Sequence, residues 1–563
     1  MKKSIKLLTA LAFCSAAFTV TSCIEETMPT DFVLQDELDQ SPNSVSGMLM
    51  ALPASFNTLD ARTGNFGDYA IGYGGLMHIR DVETEDMAIA FSDYDHFQPW
   101  ETLDQMGDNM ARTQWLWNYQ YEVILSANKL IAAVKAKEEP SSLDLGALGA
   151  AYAQRAAIYL DLAREYEFLP NDKFSGTNSD GNNVTNLTVP IITDETTEEE
   201  TKNNPRVSRD VMAEFIENDL DSAQKYIPYL DANRTYGNDR TLPHLDVVYG
   251  LYARLYMWLE KYQEAATYAR NAITLTERGN GYAKATSVTD LSDCFSTVVQ
   301  VDGNGQEQVA YQILPTSFNT MSSNKWMWGV QQTSENSTVT SGILNWTSWM
   351  SPEYAGGYAG AGAAPCIYLP LYNQIGSYDW RSLFWNSQDL VNPGVSQKFQ
   401  PNEGNTSNAT VACAAAYPLM RVEEMYFIEA EAIAHLSPDA GKKALEDFIN
   451  NHRWITDERV NPRGEKYTCN ATSPDDVIRE IVFQKRIELW GEGQTFFDIK
   501  RLNYSVDRTQ DGSNFFDDAR FKTSGRPAWM NWVIVISEQN SNNALVGWNN
   551  PDPTGSYTPV AGN

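Results

Sequence analysis

The chain has 563 residues, of which 42% are hydrophobic and 20% are charged, a balance typical of a folded globular protein. Its 35 glycines and 24 prolines are too few for a collagen-like or low-complexity chain. With 73 acidic against 42 basic residues, the formal net charge is −31. Such a surface repels phosphate backbones and argues against nucleic acid as a partner.

The first residues have the pattern of a secretory signal. Residues 1–6 contain three lysines, and residues 7–20 form an apolar run that is too short to span a membrane, which needs ~20 residues. Val20-Thr21-Ser22-Cys23 follows and resembles a bacterial lipobox, in which the cysteine is lipidated after cleavage. We therefore predict a signal peptide over 1–22 and lipidation, for example with palmitate, at Cys23. The alternative is an ordinary signal peptide with an incidental cysteine.

Acidic residues come directly after Cys23. Ile24-Glu25-Glu26 resembles the surface-export signal of some Gram-negative lipoproteins, and a solvated acidic tether is the alternative. We expect residues 23–40 to form the lipidated N-terminus and tether of a protein anchored in the outer membrane and facing the cell exterior. An anchor of more than one acyl chain gives a stable membrane hold. No later run of ~18 apolar residues predicts a membrane-spanning helix.

Four further cysteines are far apart in the chain. Three pairings are possible in principle, but none of the spacings is that of a C-x-x-C metal site. Buried thiols are the favoured interpretation, and no metal or cofactor is predicted. The four are Cys294, Cys366, Cys413 and Cys469.

Apolar residues three and four apart predict helices through most of the N-terminal half. In 245–273 the small, aromatic, small and small residues have the spacing of a tetratricopeptide (TPR) helix pair. A weaker copy lies in 421–452, where His435 takes the aromatic position and is interpreted as a packing residue. Asn171–Asn186 and the acidic Thr193–Asn204 are predicted loops. The predicted helices run from Trp115 to Ile131, Leu145 to Phe168, Arg206 to Tyr226 and Leu245 to Ile273.

The middle of the chain, 282–413, has no sustained period and is rich in Gly, Pro, Asn and aromatic residues. Six of the fifteen tryptophans lie between Trp326 and Trp385. A flat ring with polar neighbours suits the apolar face and hydroxyl rim of a sugar. Core packing is the alternative for each ring. The predicted ligand contacts are Trp326, Trp328, Trp346, Trp349, Tyr354 and Tyr372.

Several segments, in their order and spacing, resemble the SusD/RagB family of outer-membrane nutrient-binding lipoproteins. One departure is Glu167, where the family commonly has glycine. The resemblance covers nearly the whole chain after Cys23. It rests on Tyr121–Ile124, Asn128–Ile131, Arg155–Tyr159, Asn204–Arg206, Glu217–Leu220, Arg421–Tyr426, Glu429–Ala432, Lys485–Gly493, Phe497–Leu502 and Asn531–Pro551.

The resemblance implies a mainly α SusD-like fold with TPR-like helix pairs and a large loop-rich remainder. The helical SusD-like region is expected at 41–281, the loop-rich aromatic region with the ligand site at 282–413, and the C-terminal RagB/SusD region at 414–563. Because family sites also use an N-terminal loop, Arg80, Tyr94 and Trp100 are further expected ligand contacts.

The resemblance also implies a function. Such proteins bind glycans, oligo- or polysaccharides, at the cell surface and deliver them to a SusC-like TonB-dependent outer-membrane transporter. They do no chemistry, and some members bind peptides instead.

Enzyme signatures are missing from the sequence. There is no G-x-S-x-G, H-E-x-x-H, Walker or G-x-G-x-x-G motif, and the five histidines have no ligand spacing. A glycosidase with an unrecognised carboxylate pair stays open as an alternative, because such a pair is defined by geometry. Four charged residues of the C-terminal motifs, Arg486, Glu488, Asp498 and Arg501, are interpreted as paired structural charges.

Replacing the lipidation residue tests the predicted anchor. We expect Cys23→Ala to lose lipid labelling and to fractionate as a soluble protein, because the acyl chains supply the membrane hold. Metabolic lipid labelling and membrane fractionation measure this, with Cys366→Ala as a cysteine control that keeps the anchor. Unchanged labelling in Cys23→Ala would contradict the prediction.

Overall fold

Helices make up most of the ordered structure. The structure, a computed structural model, describes residues 44–59, 67–232, 240–277, 294–301, 303–321 and 326–560. The predicted signal peptide, Cys23 and the acidic tether lie outside these residues. From Val45 onward the chain forms one compact unit. No helix in the described part is long and apolar enough to cross a membrane.

The helices are confirmed as the main elements of the fold, as predicted. The helices of the described residues are α1 Ser44–Ala54, α2 Gly72–Val82, α3 Gln98–Glu101, α4 Ala111–Lys135, α5 Ser142–Tyr166, α6 Glu198–Thr201, α7 Arg209–Asp231, α8 Leu245–Trp258, α9 Tyr262–Thr276, α10 Ser337–Ser341, α11 Trp346–Met350, α12 Leu369–Tyr372, α13 Ala409–Ala412, α14 Val422–Leu436, α15 Pro438–His452, α16 Pro474–Glu488, α17 Thr495–Leu502 and α18 Ile536–Ser541.

Short strands lie mostly in the loop-rich region. A four-stranded antiparallel sheet has the order β1-β5-β7-β6, and β2 with β3 and β4 with β8 form antiparallel pairs. The strands are β1 Met87–Ile89, β2 Phe295–Val301, β3 Glu307–Ile313, β4 Trp326–Gln331, β5 Pro365–Ile367, β6 Trp385–Asn386, β7 Val395–Ser396 and β8 Ala416–Arg421.

Pro140 lies in the break between α4 and α5. Ser141 accepts from the backbone N–H of Asp144, and the Asp144 carboxylate accepts from the backbone N–H of Ser141, which forms a capping box. The helix is buried over most of its length, so its hydrophobic residues face several neighbours.

The crossing of α5 and α7 depends on two glycines. A Cβ on Gly146 would lie 2.6 Å from the backbone nitrogen of Leu230, and one on Gly149 would lie 2.5 Å from that of Ile227. Any larger side chain would therefore separate the two helices. This close contact positions α7 against the rest of the helical region.

Two helix pairs match the predicted TPR-like copies. Residues 245–273 divide into α8 and α9 at a turn where Glu260 has a left-handed φ of 58°. The weaker copy is the pair α14 and α15, which packs on α9. His435 stacks on Tyr262 with ring centroids 3.8 Å apart, so its packing role is confirmed.

The acidic segment predicted as a loop contains one turn of helix, α6. The hydroxyl of Thr197 accepts from the backbone N–H of Glu200, whose carboxylate accepts from the backbone N–H of Thr197. This local capping box explains a helix that hydrophobic periodicity does not indicate.

The charges of the C-terminal motifs are paired, as predicted. Arg486 donates to Asp86 at 2.8 Å and to Glu85 at 2.7 Å. Glu488 accepts from Arg381 at 2.6 Å and from Arg421 at 3.0 Å. In the same region the carboxylate of Asp498 pairs with Lys485 at 2.9 Å and with Arg501 at 3.0 Å.

We expect Gly149→Ala to destabilise the protein by about 1–3 kcal/mol, because the new methyl group overpacks the α5–α7 contact. Urea unfolding measures this. Gly47→Ala is the matched control, since Gly47 is an exposed helical glycine with no atom within 4 Å of its Cβ position. There the higher helix propensity of alanine should leave stability equal or raise it. Equal stability of Gly149→Ala and the wild type would contradict the prediction.

Candidate functional site

The two tryptophans of β4 are core residues. The side chains of Trp326 and Trp328 are 0% and 3% exposed. Trp328 donates its indole N–H to the carbonyl oxygen of Thr241 at 3.1 Å, and its ring meets Phe56 edge to face. The strand β4 pairs with β8, which lies along one of its edges. The flanking residues Asn324 and Lys325 lie outside the described residues.

The tryptophans of α11 are buried in the same way. Trp346 stacks on Tyr417 with centroids 4.9 Å apart, and Phe399 closes its edge. Trp349 is 1% exposed and meets Phe97 at 5.2 Å. No face of these indoles is open to a sugar ring. The expectation of a stacking platform is therefore revised, because the loops that carry the rings fold inward and fill the core.

The remaining expected contacts are also distributed through the interior. Tyr354 is 2% exposed and belongs to a small separate cluster with Val339, Ala412 and Cys413. Burial raises the pKa of its phenol to about 12. Tyr372 is half-buried and meets Trp385 edge to face at 6.4 Å. The two tyrosines therefore belong to different clusters, because Tyr372 packs against the main core.

Arg80 and Trp100 contact other residues of the core and are not exposed to a ligand. Arg80 is fully buried and donates to Asp161 at 2.9 Å and to Glu165 at 2.8 Å. Trp100 is 0% exposed and meets Tyr69 edge to face at 5.0 Å. For both residues, the expectation of a ligand contact is revised because the core encloses them.

Tyr94 is the expected contact with the most exposed ring. It is 38% exposed and lies in the loop between β1 and α3. Its phenol donates to Asp68 at 3.1 Å, and its ring stacks on His96 with centroids 5.2 Å apart and an interplanar angle of 25°. A hydrogen bond and a stacked neighbour thus hold an aromatic ring at the surface.

A second tyrosine supports this arrangement from inside. Tyr358, which is buried, also donates its phenol to the same carboxylate oxygen of Asp68 at 3.1 Å and meets Tyr94 edge to face. The backbone N–H of Asp68 donates to the Nδ1 of His96 at 2.8 Å. We call Asp68, Tyr94, His96 and Tyr358 the Tyr94 cluster.

Apolar surface lies in the same loop. Phe91 is 57% exposed and meets Phe516 edge to face at 5.4 Å. The loop begins directly after β1, which pairs with β5 and so has a defined position in the sheet. An exposed ring beside a carboxylate and an imidazole offers both stacking and hydrogen bonding to a polar ligand.

Two ionisable groups of this loop have shifted pKa values. The carboxylate of Asp68, whose Oδ1 lies 3.2 Å from the Nδ1 of His96, raises the pKa of His96 above its usual range, and burial opposes this shift. Burial raises the pKa of Asp95 to about 6, although backbone N–H groups of Phe97 and Gln98 lower it in part. The protonation states of His96 and Asp95 are therefore expected to change at mildly acidic pH.

Cys294, Cys366, Cys413 and Cys469 are buried thiols, as expected. Within the described residues, no three His, Cys, Asp or Glu side chains are grouped to hold a metal ion.

Comparison with known proteins gives a family match for part of the chain and a shared fold for most of it. Residues 392–558 match the model of the SusD family, and solved SusD-like structures align with about nine-tenths of the chain. The family match covers the C-terminal part of the chain, and the solved structures share the fold of the chain. The resemblance stated from the sequence motifs is thereby confirmed.

Three solved structures illustrate the shared fold. A SusD-like carbohydrate binding protein from Bacteroides vulgatus is 20% identical, with a TM-score of 0.65 over 89% of this chain and 96% of its own. A SusD superfamily protein from Bacteroides thetaiotaomicron is 18% identical, with a TM-score of 0.62 over 89% and 98%. A SusD-like carbohydrate binding protein from Bacteroides fragilis is 15% identical, with a TM-score of 0.59 over 90% and 99%. Among curated proteins, no sequence matches the chain.

Sequence reasoning missed most of the Tyr94 cluster. Asp68 and Tyr358 are 290 positions apart and meet only in the fold. A usable signal was present for His96, because alternating polar and aromatic residues directly follow the apolar strand β1. Such a segment at a strand end indicates a surface loop.

The raised pKa of His96 predicts a pH-dependent contribution to stability. A group with a raised folded-state pKa stabilises the fold below its unfolded value, near 6.5, and this contribution is lost as pH rises through the folded value. We therefore expect the wild type to gain stability over His96→Gln at pH 5.5 relative to pH 8.5. Urea unfolding at the two pH values measures this difference.

Nuclear magnetic resonance titration gives a direct control for this prediction. The His96 pKa should lie above 6.5 and fall in Asp68→Asn, because the hydrogen-bonding carboxylate is removed. A His96 pKa at or below 6.5 in the wild type is the contrary result.

Proposed function

We propose that this SusD-family protein binds glycans at the Tyr94 cluster and does no chemistry on them. The observation that carries the proposal is the exposed ring of Tyr94, which Asp68 and His96 hold in place at the surface. A ring fixed before binding costs little conformational entropy when a sugar stacks on it.

The chemistry of the cluster matches that of a sugar. The apolar face of a pyranose packs on an aromatic ring, and its hydroxyl groups donate to a carboxylate or an imidazole nitrogen. The net charge of −31 favours a neutral or cationic glycan over a polyanionic one. Two of the solved structures that share this fold are described as carbohydrate binding proteins, which supports the same ligand class.

The family and the N-terminal motif support a place at the cell surface. We propose that lipidated Cys23 holds the protein on the outer membrane, facing outward, beside a SusC-like TonB-dependent transporter. The protein captures the glycan and delivers it to this transporter. Co-purification from the native host in detergent tests the partnership, and recovery of the lipoprotein without any large barrel protein would count against it.

A glycan array with product analysis tests the ligand class. Retention of a glycan without cleavage supports the proposal. Release of shortened products supports a glycosidase, and retention of peptides alone supports a peptide-binding member of the family.

Replacing the exposed ring tests the site. We expect Tyr94→Ala to weaken glycan binding about ten- to hundred-fold, since aromatic stacking on a base is worth ~1–3 kcal/mol and gives a rough scale for sugars. Its melting temperature should change little because the ring is 38% exposed. Calorimetric titration with the glycan retained on the array measures the affinity.

Two controls separate the site from the core. Tyr229→Ala removes an equally exposed ring on α7, 42% exposed, and should leave binding unchanged. Trp349→Ala removes a buried ring and should cost ~3–5 kcal/mol of stability. Full affinity in Tyr94→Ala would remove the cluster from the proposed site.

A further inference from the structure

A cavity of about 280 Å³ lies between α5, α8, α14, α16 and α17. Pro170, Asn171 and Glu260 are exposed at its rim. This volume would hold about nine water molecules at the density of the liquid. We call it the Lys500 cavity. It shares no residue with the Tyr94 cluster.

The lining of the Lys500 cavity is unusually basic for so acidic a protein. It contains six cationic side chains and four carboxylates. Three of the carboxylates already have cationic partners inside the fold. Glu424 accepts from Arg254 at 2.7 Å, Asp498 pairs with Lys485 at 2.9 Å, and Glu167 pairs with Arg209 at 3.3 Å.

The ammonium group of Lys500 has no such carboxylate partner. It is 2% exposed, and the acceptor that the structure gives it is the backbone carbonyl oxygen of Glu165, at 2.5 Å. Among the described residues, no carboxylate oxygen lies within 4.0 Å of its Nζ. An ammonium carries three N–H groups. A buried cation with spare donors is costly unless a counter-charge reaches it.

Two arginines of the cavity also have unused donors. The Nη1 atom of Arg501 is buried and has no acceptor in the described part of the chain, while its Nη2 donates to Glu431 at 2.7 Å. The guanidinium group of Arg164 lies 3.6 Å from the ring centroid of Phe497. Its Nη2 donates a hydrogen bond to Asp161 at 2.6 Å. Both guanidinium groups therefore face the cavity with part of their hydrogen-bonding capacity unfilled.

We propose that the Lys500 cavity binds a small organic anion, a carboxylate or a phosphate monoester of about one sugar ring in size. Lys500, Arg501 and Arg164 supply the counter-charge and the hydrogen bonds. The anion's apolar part packs on Leu169, Met257 and Ile428, which also line the cavity. Charge-assisted hydrogen bonds to buried cations are strong enough to select an anion from a neutral sugar of the same shape.

The volume of the cavity limits the size of this ligand, and the spare donors of its lining select a negative charge. Pockets for drug-sized ligands start at about 300 Å³, so a polymer does not fit inside and only a single small unit does. Because the spare donors belong to three different side chains, a group with two or three oxygens satisfies them better than a single hydroxyl group does.

Calorimetric titration of the full-length mature protein tests the proposal. The probes are D-glucuronate and glucose 6-phosphate, with D-glucose as the neutral counterpart. We expect both anions to bind and glucose to bind at least tenfold more weakly. Lys500→Met should weaken anion binding at least tenfold, which corresponds to one charge-assisted hydrogen bond.

Two variants act as controls. Lys202→Met removes a lysine that does not line the cavity and whose side chain is 52% exposed, and this variant should bind the anions normally. Tyr94→Ala should also bind them normally, because the Tyr94 cluster is separate from the cavity.

Proton uptake gives a second readout. Burial and the nearby Arg526 lower the pKa of Lys500 to about 7, so part of the population is neutral at pH 7.5. A bound anion raises this pKa, and protons are taken up on binding. The measured enthalpy should then depend on the ionisation enthalpy of the buffer, and this dependence should be lost in Lys500→Met. The other charged groups that act on Lys500 are Glu83, Glu165, Glu167 and Asp172.

If Lys500→Met does not fold, Arg164→Gln decides the question. Asp161 keeps Arg80 and Tyr73 as partners in that variant, so the fold retains its buried charge pair. Tenfold weaker anion binding in either folded variant supports the proposal. No binding of either anion, equal binding of glucose, or unchanged binding in the folded variants overturns it.

Discussion

Charge neutralisation around Glu488 is the constraint on which the loop-rich region depends. A buried carboxylate is stable only when cations and hydrogen bonds replace its water. Burial raises the pKa of Glu488, but Arg381, Arg421 and Arg453 outweigh it and lower the pKa to about 2. Two of these arginines come from Trp380–Phe384 and β8. The loop-rich region has few hydrogen bonds between strands, and ion pairs thus attach it to the helices.

Much of this architecture could be predicted from the sequence because it has local causes. The start of α5 follows from Ser141 and Asp144, and the helices follow from apolar spacing. Pairing of the motif charges was also predictable, since buried charges need partners. Their partners were not, because Arg486 meets Glu85 and Asp86 across some 400 positions.

The candidate site shows where sequence reasoning reaches its limit. A tryptophan beside polar residues has the same pattern whether it fills a core or faces a ligand. Trp346 and Trp349 are enclosed because Tyr417, Phe399 and Phe97 come from distant segments to cover them. The ring of Tyr94 stays 38% exposed, although His96 and Tyr358 contact it. Only the tertiary contacts separate these two outcomes.

The antiparallel pairing of β4 with β8 has a consequence for how the chain acquires its structure. Residues 326–331 pair with residues 416–421, which follow 90 positions later in the chain. Trp490 donates its indole N–H to the backbone carbonyl oxygen of Asp86, 404 positions away. Contacts so distant in sequence form slowly, after the ends of long loops have met. The N-terminal half therefore cannot reach its final packing until the last third of the chain has emerged. Because residues 1–22 are predicted to be a secretory signal, we expect this delay to favour an unfolded chain during export.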